Sequence, residues 1–124
     1  MSDPEPDRSV LGSCHCGAVK LRIAHAPTEI THCNCSLCRR YGVLWAYFAK
    51  ADVEITSIAP TDTYAWNGKH VDFHRCSTCG CVTHWYPRAA HRDRLGINAR
   101  LLDPEVVSAA RVKQVDAGET GIFY

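Results

Sequence analysis

The most regular alternation of apolar and polar positions runs from residue 19 to residue 23, where Val19, Leu21 and Ile23 are separated by Lys20 and Arg22. A two-residue period gives the chain one apolar and one polar face, so this stretch predicts a half-buried strand, closed by Pro27. Residues 29–32 predict a short extended piece and residues 37–41 a single helical turn ending at Gly42. Residues 43–49 are apolar and aromatic, a pattern that suits a strand buried on both faces and equally a buried helical segment. Val53 and Ile55 alternate with charged neighbours, as in a partly exposed strand. Residues 63–66 and 71–75 flank Asn67-Gly68, a strong hairpin signal because both turn residues tolerate positive φ. Further strands are predicted over 82–86, stopped by Pro87, over 95–101 and over 112–115. Asp103-Pro104-Glu105 opens a short turn or helical piece over 106–110. Many short strands and no long amphipathic helix predict a mainly β architecture.

Length and composition narrow this picture. A chain of 124 residues fits one domain and buries roughly two-thirds of the surface its unfolded form exposes. Residues 1–9 are acidic and proline-bearing and read as a flexible tail, leaving 10–124 as a single domain. The tail has neither the basic start nor the apolar stretch of a secretory signal, and no run approaches a membrane span. A cytoplasmic location is therefore expected. The formal charge of +1 provides no basic face for nucleic acid. Oligomeric state is not legible.

The eight cysteines change the picture most. They fall in three clusters: Cys14 and Cys16; Cys33, Cys35 and Cys38; Cys76, Cys79 and Cys81. In a reducing compartment such clusters point to metal rather than disulfides. Three thiols within six residues are too crowded to reach separate partners across a fold, so they converge on one ion. The first and third clusters are natural partners for a closed four-cysteine zinc site made of Cys14, Cys16, Cys76 and Cys79. Cys33, Cys35 and Cys38 then form a three-thiolate site with an exchangeable fourth position. Cys81 swinging in as fourth ligand would instead close this second site too, and the spacing alone leaves both arrangements open.

The order Cys-His-Cys-Gly-Ala-Val, Cys-Asn-Cys-Ser-Leu-Cys-Arg and Cys-Ser-Thr-Cys-Gly resembles the glutathione-dependent formaldehyde-activating enzyme family, which includes relatives of centromere protein V. Tyr64-Ala65-Trp66, residues 96–103 and residues 116–120 extend the resemblance. It implies a β-tent zinc fold of small antiparallel sheets. It also implies two zinc ions, a structural one on Cys14, Cys16, Cys76 and Cys79 and a catalytic one on Cys33, Cys35 and Cys38. The implied activity is condensation of glutathione, or a similar small thiol, with formaldehyde or a related small carbonyl, classified in reverse as a carbon–sulfur lyase. His32 and His74, close to the thiol clusters in sequence, are candidate proton donors to the carbonyl oxygen. Arg39 and Arg40 are candidates for binding the carboxylates of glutathione. Trp45, Tyr47, Phe48, Trp66 and Trp85 read as core. The competing reading is a non-catalytic binding module with two structural metals.

Overall fold

A computed structural model describes residues 7–66 and 68–116. Ten strands are present among them: β1 (Val10–Ser13), β2 (Val19–Ile23), β3 (Glu29–Cys33), β4 (Trp45–Phe48), β5 (Val53–Ser57), β6 (Asp62–Tyr64), β7 (Val71–Arg75), β8 (Val82–Pro87), β9 (Leu95–Asn98) and β10 (Arg111–Val115). Helices are limited to α1 (Cys38–Tyr41) and α2 (Pro104–Ala109), with single turns of 3-10 helix at Lys50–Asp52 and Ala99–Leu101. No helix among the described residues is long and apolar enough to cross a membrane. The mainly β expectation holds, although Asn67, most of the predicted tail and residues 117–120 lie outside the described residues.

The strands form two sheets. One is three-stranded, in the order β1-β2-β5, and the other seven-stranded, in the order β10-β3-β4-β9-β8-β7-β6. Alternation assigns each residue of the larger sheet to a side. Ile30, Ala46, Phe48, Leu95 and Ile97 face the smaller sheet and pack with its Leu21 and Ile23 in the main core. The opposite side carries Cys33, Trp45, Phe73 and Trp85, which form a second buried cluster with Cys35, Cys38 and Val43. This separation places the three-thiol segment on an aromatic surface, away from the aliphatic core.

Three elements differ from the sequence reading. The sheets are not purely antiparallel, because β10 runs parallel to β3, from Arg111 opposite Glu29 to Val115 opposite Cys33. The 77 residues separating the two strands reach this register through other elements, a long-range pairing that a local pattern does not encode. The strand predicted over 95–101 stops at Asn98. The Asn98 side chain accepts a hydrogen bond from the Arg100 N–H at 3.1 Å and caps a turn of 3-10 helix. β1 escapes the pattern because Leu11 is exposed and Gly12 is packed against Leu21 and Leu102. The hairpin of β6 and β7 forms as expected. Its turn passes through Gly68 at φ 88°, closed by the Lys69 N–H donating to the Trp66 carbonyl at 3.1 Å.

Candidate metal and thiol site

Two groups of thiols come together. Cys14, Cys16, Cys76 and Cys79 form one, and Cys33, Cys35 and Cys38 the other, with the sulfurs of each group within 4.8 Å of one another. The first group joins the turn after β1 to the turn after β7. Its Sγ···Sγ separations of 3.7 Å between Cys14 and Cys16 and 3.6 Å between Cys16 and Cys76 are far longer than the roughly 2 Å of a disulfide. They agree with the separation of about 3.8 Å that tetrahedral geometry gives for zinc–sulfur bonds of about 2.3 Å. Backbone N–H groups point at these sulfurs, Val19 to Cys14 at 3.3 Å and Thr78 to Cys76 at 3.4 Å. Backbone N–H groups of Cys81 and Cys16 also hold the Cys79 thiol down to a pKa of about 5. Amide donors of this kind favour the thiolate, the form in which cysteine ligates a metal.

The second group is built by one compact segment. β3 ends at Cys33, the chain turns through Cys35, and α1 begins at Cys38. Each sulfur is buried. The Cys35 N–H donates to Cys33 Sγ at 3.5 Å, the Cys38 N–H to Cys35 Sγ at 3.2 Å, and the Trp45 indole N–H to Cys38 Sγ at 3.3 Å. α1 is stopped within one turn by Gly42 at φ 66°, in the left-handed region that favours glycine, with its N–H on the Cys38 carbonyl. Burial raises the Cys38 pKa, so without a cation its thiol stays neutral. The donor set, three sulfurs with N–H groups aimed at them, suits a soft, thiophilic ion such as zinc.

Cys81 does not join the three-thiol group. It packs with Cys14, Ala18, Val19 and Cys76, next to the four-cysteine group, so the alternative of a second site closed by Cys81 has no support in the fold. The predicted histidines are also set apart. His32 and His74 lie on the side of the large sheet opposite Cys33, because each is one residue out of phase with the aromatic face. His32 is exposed and its Nδ1 contacts Gln114 Oε1 at 2.7 Å. His74 contacts the Thr61 hydroxyl at 2.8 Å and stacks on His84, with ring centroids 4.3 Å apart. Burial lowers the pKa of both rings, that of His84 to about 3.

Arg39 and Arg40 are exposed on α1. Arg40 lines a cleft of about 450 Å³ with Tyr41, Arg75, Cys81, Asn98 and Arg100. Two of its guanidinium groups are anchored by backbone carbonyls, Arg40 Nη1 on Ser36 at 2.8 Å and Arg100 Nε on Gly42 at 2.6 Å. Arg75 has Asp62 at 4.0 Å. The cleft thus carries three cations, two of them fixed without a carboxylate.

Of the aromatic residues expected in the core, Phe48 packs in the main core, buried Trp45 and Trp85 belong to the second buried cluster on the thiol-bearing side, and Tyr47 and Trp66 are partly buried against that cluster. Tyr47 packs against the three-thiol cluster and lies 5.9 Å from the Trp85 ring, and the Arg94 guanidinium covers its ring at 4.0 Å. Beyond Trp85 a cavity of about 250 Å³ is lined by His70, Val71, Trp85, Pro87, Arg92 and Arg94. The alternation of β4 was the only sequence signal for Tyr47, and an all-apolar run obscured it.

The family described as glutathione-dependent formaldehyde-activating enzyme matches residues 9–115. The chain belongs to this family. The match spans both thiol groups and nearly all of both sheets, from just before β1 to the end of β10. A crystal structure of a Rhodobacter sphaeroides protein, a structural genomics target, is similar at 27% identity and a TM-score of 0.67. The similarity covers 83% of this chain and 99% of that one. Membership of the formaldehyde-activating family points to chemistry with glutathione and formaldehyde, and the two thiol groups are its candidate metal centres.

Proposed function

We propose that the protein is a zinc-dependent carbon–sulfur lyase of the S-hydroxymethylglutathione synthase type, joining a small thiol such as glutathione to formaldehyde or a related small carbonyl. The observation that carries this reading is the group of three buried thiols with no fourth thiol among the described residues, set against an aromatic face. On this reading Cys14, Cys16, Cys76 and Cys79 hold a structural zinc, and Cys33, Cys35 and Cys38 a catalytic one. A zinc ion held by three thiolates makes a thiol in its remaining position acidic enough to ionise near neutral pH.

The chain's own residues do the rest. The Trp45 indole and the amides of Cys35 and Cys38 orient the three sulfurs. Trp45, Phe73 and Trp85 wall the site with apolar rings and limit water. Arg40, Arg75 and Arg100 take the carboxylate end of the thiol, since a cleft one helical turn from Cys38 presents guanidinium groups already held by backbone carbonyls.

The test is NMR exchange between glutathione and formaldehyde with the zinc-loaded protein. Interconversion faster than the spontaneous reaction is expected, with a raised glutathione KM and little change in kcat for Arg40→Ala. An exchange rate equal to that of buffer with free zinc would overturn the assignment.

A further inference from the structure

The Tyr47 hydroxyl is buried and has no hydrogen-bond partner among the described residues. Buried hydroxyls are nearly always paired, and an orphan one needs a reason. The other unpaired buried donor, Trp85 Nε1, has one: the indole lies so close over Gly96 that a Cβ there would collide with it. Tyr47 has no such packing explanation: the Thr31 side chain is near enough to influence its hydroxyl but does not complete a hydrogen bond with it. Its position on β4, two residues after Trp45, puts it on the same side of the sheet as Cys33, and charge on Cys38 and Cys33 reaches its hydroxyl. Burial, the largest influence, raises its pKa and keeps the proton on the phenol, while the Thr31 side chain and then the Arg94 cation act in the other direction. A protonated phenol beneath a guanidinium is a strengthened hydrogen-bond donor. His32 and His74 face the other way, so the thiol-bearing side needs a different donor for any oxygen that gains charge there.

We propose that Tyr47 is a catalytic residue whose hydroxyl donates a hydrogen bond to the carbonyl oxygen of the substrate as the carbon–sulfur bond forms. The proposal rests on the thiol-addition reading above. The substrate sulfur bonds to the carbonyl carbon, and the π pair of the C=O bond moves onto oxygen, where the Tyr47 O–H meets it. The proton given up by the substrate thiol reaches that oxygen through solvent. The product is a hemithioacetal, and Tyr47 ends the cycle unchanged. Donors placed where charge develops contribute most when they are fixed and shielded from water, and Tyr47 is held by Trp85 on one side and Arg94 on the other.

Tyr47→Phe keeps the ring contacts and removes only the hydroxyl. For the zinc-loaded variant we expect kcat to fall by about 10²–10³, with KM for glutathione, zinc content and thermal midpoint unchanged or the midpoint slightly raised. A kcat within about threefold of the parent's overturns the proposal, as does a loss confined to zinc content or folding. A second readout is independent of turnover. With glutathione and formamide as an inert carbonyl probe, the infrared C=O stretch of bound formamide should shift to lower frequency in the parent and not in Tyr47→Phe. Equal stretches in the two proteins overturn the assignment. If the parent gives no rate above the spontaneous reaction, the thiol-addition reading fails, and the infrared comparison still decides for or against Tyr47 as the carbonyl donor.

Discussion

Trp45 is fully buried, with its indole N–H on Cys38 Sγ at 3.3 Å, and it connects the aromatic face to the three-thiol group at the scale of one atom. A donor to a ligand sulfur orients it and stabilises its charged form, and losing such a contact commonly weakens metal affinity by about 10–100-fold. Trp45→Phe removes the N–H and keeps most of the ring. Competition with a chromophoric chelator should then show one of two zinc ions released more readily, by about that factor, and the other unaffected. The tryptophan was visible in the sequence, but its partner was not, because the two lie seven positions apart across a helical turn and a bend. His32 and His74 illustrate the same limit. Their closeness to the thiols along the chain was legible, whereas the strand phase that turns them to the other side depends on where β3 and β7 begin.

Among the elements, β8 and β9 show how packing against one backbone sets the site. Trp85 and Gly96 are directly paired across the two antiparallel strands, and the indole occupies the space where a side chain at 96 would be. Gly96→Ala must push Trp85 aside, and with it the neighbouring Tyr47 ring. Overpacking of this kind costs about 1–3 kcal/mol, which urea denaturation should report as a lower midpoint with an unchanged slope. The glycine between two apolar residues reads from sequence only as a weak point in a strand. Its use appears once the pairing of β8 with β9 is known. The alternation of β2, in contrast, was read correctly from the chain alone, since one side of that strand faces core and the other faces solvent.

At the scale of the molecule, the two thiol groups differ in what they connect. Cys16 and Cys76 are 60 positions apart, and their group ties the small sheet to the β7–β8 hairpin of the large one. Cys33, Cys35 and Cys38 lie within a single turn and close only a short segment. A ligand set that bridges distant elements contributes directly to folding, because the unfolded chain does not hold it together. Cys76→Ser should therefore lower the thermal midpoint sharply and broaden the transition. Cys35→Ser should retain a cooperative transition and bind one zinc instead of two by elemental analysis. The cysteine spacing determined the grouping of the seven thiols, because sulfurs so close in sequence have few ways to satisfy their coordination, and the short-period alternation determined a mainly β fold. Tertiary structure decided what neither signal contains: the parallel pairing of β10 with β3, the placement of Cys81 beside the four-cysteine group, and the side of the sheet each side chain occupies. These depend on contacts between residues tens of positions apart, and one of them turns Tyr47 towards the three thiols while turning both histidines away.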